Sequence, residues 1–219
     1  MNLGELQNLT ASLLDDLKFG YFTKPQVTVF LNNAQRTVQK MLLQAGQNFY
    51  VKCVSTMTDP SSCSYALPLD FLKLHRLEIV LNPGTRTETR FPLPQITLNQ
   101  MDLLTYSPAQ PTNYYFKKNR LVLAPPPQTP QTMRLFYSYL VGDMLTEVSV
   151  PDVPETYHEL IAILAAEDGL IKDDRDASKL LNKKQFYEDM LKRDAQARGE
   201  DRPRSVNETD LYESYGILF

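Results

Sequence analysis

The segment Pro151 to Asp174, PDVPETYHELIAILAAEDGLIKDD, is the most apolar continuous stretch of the chain. Pro154 suits the first turn of a helix, where a missing N–H costs nothing, and Glu155 beside it favours the positive end of the helix dipole. Apolar side chains then fall at Leu160, Ile161, Ile163, Leu164, Ala165, Ala166, Leu170 and Ile171, more than half the circumference of a helix. A helix of that kind needs cover on several sides. Its length would reach across a bilayer, but Glu159, Glu167 and Asp168 lie within it and would each be costly there. It is therefore expected to be a buried core helix.

Working toward the N-terminus, two amphipathic helices are expected to provide part of that cover. Leu3, Leu6, Leu9, Leu13, Leu14 and Leu17 fall mostly three or four apart, with Gly20 available to close the first helix in the left-handed region. Thr23 and Gln26 have the spacing of a capping box, Pro25 fits the first turn, and Val27, Phe30, Leu31, Ala34, Val38, Met41, Leu42 and Ala45 continue a 3-4 pattern up to Gly46. On the far side of the central segment, a fourth helix is expected from about Ala177 to Arg198. Its apolar positions are Leu180, Leu181, Tyr187, Met190, Leu191 and Ala195.

Between the two pairs the helical period disappears. Phe49–Met57, the stretch after the Leu67-Pro68-Leu69-Asp70 bend, a hairpin formed by Pro111–Phe116 and Leu121–Ala124, and Thr132–Leu140 have the β-branched, aromatic and alternating character of strands. Thr97 and Gln100 are spaced to cap a short helix over Thr97–Leu104. The expected fold is thus α+β, mainly a four-helix bundle with a β-rich insert between helices 2 and 3 and an extended C-terminal tail. Residues 1–46 and 150–198 make the bundle, 47–149 the insert and 199–219 the tail. The tail cannot build a core, yet it carries Leu211, Tyr212, Tyr215, Ile217, Leu218 and Phe219. Such residues gain little from exposure and suit docking on another surface.

Chemistry is sparse. The chain of 219 residues has only 8 glycines and no phosphate-binding glycine loop, nucleophile elbow or HExxH motif. Cys53 and Cys63, with only His75 and His158 as imidazoles, make no zinc spacing and are expected to be plain thiols. His158 is expected to be a buried histidine bonded to a backbone group. His75 is expected to face solvent or an interface. Asp168, Asp173, Asp174 and Asp176 do not match an EF-hand loop and read as a solvated connection with a capping aspartate. Neither a cofactor, a metal nor a catalytic residue is expected. Lys117, Lys118 and Arg120 form one compact basic patch on the hairpin, a possible contact loop for phosphate or an acidic partner.

A net charge of -3 and a pI near 5.5 argue against wholesale nucleic-acid binding, and no signal peptide or membrane span is visible. A DNA-packaging accessory protein, such as a small terminase subunit, would need a recognition helix or basic face that is missing. A tail component whose β insert binds a partner protein or glycan is the other alternative: Tyr114, Tyr115, Phe116, Phe136, Tyr137 and Tyr139 suit a sugar platform. Strand alternation, however, turns about half of them inward.

The order of features resembles that of tailed-bacteriophage head-to-tail adaptors, the connectors under the portal ring. The resemblance rests on Leu67-Pro68-Leu69-Asp70-Phe71 before a strand, Tyr114-Tyr115-Phe116, the apolar strand and prolines of Leu121–Pro127, Leu135–Tyr139, and the proline-opened helix Pro154–Ala166. It implies a structural virion protein, made in the host cytoplasm and placed at the head-tail junction, without enzymatic activity. It further implies a homo-oligomeric ring, commonly dodecameric, whose C-terminal segments reach the portal protein or a neighbouring copy. Such a ring would extend the DNA channel, pass double-stranded DNA unread, offer a surface to a downstream tail or nozzle protein, and have no membrane partner.

Overall fold

The computed structural model describes residues 1–45, 50–97, 100 and 110–200, with side chains described to 194. The chain forms two compact units, Met1–Gln47 with Asp143–Phe219 and, separately, Asn48–Gly142.

In the first unit α1 spans Leu3–Leu13 and is closed at its start by reciprocal bonds: the Glu5 N–H donates to Asn2 Oδ1 and the Asn2 N–H to Glu5 Oε2, both at 2.9 Å. The helix stops earlier than its leucine spacing suggests. Asp15 takes a left-handed conformation (φ 57°), and the Asp16 carboxylate gathers the N–H groups of Gly20, Tyr21 and Phe22 at 2.8–3.0 Å. Three amide donors hold that carboxyl below its ordinary range, the Phe22 N–H most of all. Leu17 consequently lies beyond the helix and is exposed, and Phe19 rather than Gly20 occupies the second left-handed position. α2 spans Lys24–Gln44, with Gln26 accepting from the Thr23 N–H at 2.9 Å as its capping spacing indicates.

The organising segment becomes a 3-10 turn at Glu155–Tyr157 followed by α3, His158–Lys172. Pro154 stands just ahead of the turn. His158, Leu160–Ala166, Gly169 and Leu170 are all buried, whereas Ile171 is exposed. α3 packs on α2, α1 and α4 (Ser178–Glu200). At Gly169 the neighbouring helix comes so close that a Cβ there would lie 3.0 Å from Leu14 Cδ2. A side chain there would have to push the Leu14 tip aside by a few tenths of an ångström.

The expectation of a mainly helical four-helix bundle is overturned. α4 packs chiefly on α3 and touches α2 only at its margin. Leu180 and Leu191 are its buried apolar residues among those described, whereas Leu181 and Phe186 are more than half exposed. Two buried leucines three turns apart do not make the continuous stripe that closes a bundle. The helices instead gather around α3. The fold also carries a substantial β component, since the described residues of the second unit hold seven strands in two antiparallel sheets.

Those strands are β1 (Val51–Met57), β2 (Ser64–Ala66), β3 (Phe71–Leu81), β4 (Thr89–Pro92), β5 (Asn113–Lys117), β6 (Arg120–Ala124) and β7 (Thr132–Tyr139). One sheet has the order β1-β7-β3-β4 and the other β2-β6-β5. Leu77, Ile79, Met133, Leu135 and Tyr137 from the first face Tyr114, Leu121 and Leu123 from the second, so one side of β3 and β7 and one side of β5 and β6 make a shared core. The opposite side of the first sheet presents Cys53, Phe136 and Arg76 in cross-strand register, with Ser55, Arg134 and Glu78 in the next row. The Thr97 N–H donates to Gln100 Oε1 at 2.9 Å; the remainder of the expected Thr97–Leu104 helix lies outside the described residues.

Candidate functional site

The first unit is tied together around α3 by polar as well as apolar groups. Asn32, buried on α2, donates from Nδ2 to the Met144 carbonyl (3.2 Å) and accepts from the Met144 N–H (2.9 Å). The same segment accepts the Gly4 N–H at Glu147 O (3.0 Å) and the Leu3 N–H at Ser149 O (2.8 Å). Lys24 and Arg36 pair with Glu147 and Asp143 at 2.8 and 2.5 Å. Residues 143–149 are thereby fixed along α1 and α2, with Leu145 and Val148 facing outward. Nothing in the hydrophobic periodicity announces this arrangement, because its anchors are main-chain groups.

His158 is buried, and its Nε2 lies 2.9 Å from the Val153 carbonyl. A carbonyl accepts only, so Nε2 carries the proton and Nδ1 accepts from the Met1 ammonium, also at 2.9 Å. Burial lowers its pKa, and the ammonium adds to this. The residue is a structural histidine, with no nucleophile beside it. His75 is exposed and bonds through Nε2 to Ser138 Oγ at 2.6 Å. Asp176 caps α4, accepting the Ser178 N–H at 2.8 Å. Among the described residues no group of His, Cys, Asp and Glu is placed to hold a metal. Cys53 and Cys63 are free thiols.

Lys117, Lys118 and Arg120 meet at the β5–β6 turn but differ in role. Arg120 is committed to β2, donating from Nε and Nη2 to Ser64 Oγ and O at 2.7 and 2.8 Å. Lys117 and Lys118 stay exposed, and Lys118 occupies the first loop position with φ 55°. Lys118 also lines a depression of about 500 Å³ with Lys73, Leu72 and Phe116. Lys73 comes from β3, far along the chain, so no local motif could have joined it to the patch. Tyr114 and Tyr137 turn into the core, which removes them from any sugar platform. The Tyr137 hydroxyl donates to Asp70 at 2.9 Å, and burial together with that carboxylate pushes its pKa up to about 12. Leu211, Tyr212, Tyr215, Ile217, Leu218 and Phe219 lie outside the described residues.

In the second unit the outer face of the four-stranded sheet is exposed at its β1 edge. Every residue of β1 is exposed, on both sides of the strand. Beside it is an open depression of about 530 Å³ lined by Val51, Phe136, His75, Arg76, Arg90 and Glu78. Glu78 pairs with Arg76 through Oε1 and is buried. Its Oε2 has no hydrogen-bond partner among the described residues. Nearby, Glu88 accepts from the Gly84 N–H (2.9 Å), Arg90 (2.7 Å) and Arg134 (3.1 Å), which draws its pKa down to about 2. Such surfaces can bind other proteins; they hold no constellation for bond-making chemistry.

The chain belongs to the SU10 adaptor protein family, whose model matches residues 1–209. It is thus a phage adaptor, a structural component of the virion that acts between other phage structural proteins. No curated protein matches it.

Proposed function

We infer that this adaptor forms a ring, of about twelve copies by its likeness to head-to-tail connectors, below the portal protein. The ring extends the DNA channel and presents an attachment surface to a downstream tail or nozzle protein. The observation that carries this reading is a family match along almost the whole chain, in a molecule whose strand β1 is exposed along its full length. A closed ring needs two different complementary surfaces on each copy. The sheet face at β1 supplies one candidate. The tail residues Leu211, Tyr212, Tyr215, Ile217, Leu218 and Phe219 are the docking group for the portal or a neighbouring copy. Lys117 and Lys118 are a secondary contact loop, with Arg120 bracing it. The chain is acidic overall, which suits a channel that passes duplex DNA without holding it.

The test is negative-stain imaging of the chain co-expressed with the portal of its own phage, full length against a chain stopped at Arg198. Rings stacked on the portal with the full chain alone are the expected result. Absence of association with both forms would overturn the reading. Cooperative unfolding of the shortened chain should be retained, which separates loss of docking from loss of fold.

A further inference from the structure

We propose that the outer face of the four-stranded sheet, from β1 across the depression at Phe136, seats the segment Ser205–Phe219 of a second copy. The proposal rests on the ring reading and deepens it by assigning the tail one address. Its first support is that a single chain leaves the β1 edge of the face bare: all seven residues of β1 are exposed, and Val51 and Met57, which register places on the outer side, retain 36% and 58% of their surface. The segment is thus expected to come from another copy.

The second support is charge. Arg76, Arg90 and Arg134 stand on this part of the sheet against two carboxylates, Glu78 and Glu88, so one positive charge is left over. Ser205–Phe219 carries Glu208, Asp210 and Glu213 and neither lysine nor arginine. Opposed potentials of this kind set partner and register. The third is the chemistry of the floor. Glu78 is buried with an oxygen that finds no donor among the described residues, a costly arrangement unless a donor arrives. Tyr212, Ser214 and Tyr215 each bring a hydroxyl. Val51 and Phe136 offer apolar area for the aliphatic and aromatic residues that follow. From residue 201 to 219 an extended chain reaches at most about 60 Å, ample for crossing a subunit boundary. Every copy has one such face and one such segment, so head-to-tail use of both closes a ring without a remainder.

Cys53 makes the test direct, because it lies on β1 opposite Phe136. One full-length version keeps Cys53 and carries Cys63→Ser. A second carries Cys53→Ser and Cys63→Ser with Tyr212→Cys, Ser214→Cys or Gly216→Cys in turn. The two are mixed by co-expression with the portal, oxidised mildly and run on a non-reducing gel, with the particles imaged in parallel. A disulfide-linked dimer from at least one pair is expected, and reversing Glu208, Asp210 and Glu213 to lysine should cut its yield several-fold. Portal-bound rings without any linked dimer would overturn the seat while leaving the adaptor reading intact. A chain carrying both cysteines that links only within itself, with no dimer in the mixture, would overturn the second copy in favour of the chain's own segment. Failure of the unmodified chain to bind the portal in the images would overturn the adaptor reading, and this seat with it.

Discussion

Each of the two units encloses a core of its own, but the most buried element of one and the most exposed strand of the other stand in contrast. α3 is buried on nearly every side, with ten buried residues in fifteen. β1 is exposed along all seven of its residues. A family of adaptors has to hold its shape and also join other proteins, and here the first task falls to a helix with most of its residues buried. In the reading proposed above, the second falls to strands that show a great deal.

The largest blow to this contrast should come from Ile161→Ala. Ile161 is fully buried, and the cavity left behind should lower stability by about 2–5 kcal/mol in urea unfolding. In the β unit, Tyr137→Phe leaves the Asp70 carboxylate without one donor. A loss of about 1.5–3 kcal/mol is expected, since the partner is charged.

Acid should weaken both units through their histidines and the β unit again at lower pH through Glu88. His158 has a lowered pKa in the folded protein, so the unfolded chain takes up its proton more readily and the helical unit loses stability as pH falls through the ordinary histidine value, 6.5. Glu88 is held down to about 2 against an ordinary 4.5. Its contribution is complete above 4.5 and is lost as pH falls from there toward 2. His75 on β3 is held below its ordinary value by partial burial as well, so hydrogen exchange followed by residue should show α3 and the strands around His75 both loosening below 6.5, and Glu88→Gln should flatten only the lower transition of the β unit. The smallest effect is expected on β1. Val54→Thr changes a half-exposed side chain and should move the urea midpoint by less than about 0.5 kcal/mol. A large loss there would mean that β1 is already covered in the isolated protein.

The sequence made the core helix legible because its apolar residues run all round, and α2 because Thr23, Gln26 and Pro25 mark its start. The hairpin of β5 and β6 was readable from its alternation around Lys117–Arg120. The bundle was not a sound extrapolation: the apolar positions of α4 include Leu181, which points to solvent, and periodicity alone cannot say which residues of a mixed helix find a partner. The end of α1 was hidden in Asp16, whose carboxylate outcompetes another helical turn for three amide donors. β2 and β4, three and four residues long, are too short to show a period. At the candidate surface, Lys117 and Lys118 were visible as neighbours in sequence. Glu78, Arg76, Arg90 and Phe136 come together only through strand register, which depends on pairing across the sheet.

Lys118 shows a trade-off confined to one residue. The first place in a two-residue hairpin loop with positive φ favours glycine, and a side chain there gives up local stability on the order of 1 kcal/mol. The chain nonetheless keeps a lysine at that place. Lys118→Gly should therefore firm the turn as it removes the cation, so at this position selection for an easier fold and selection for a charged turn pull in opposite directions.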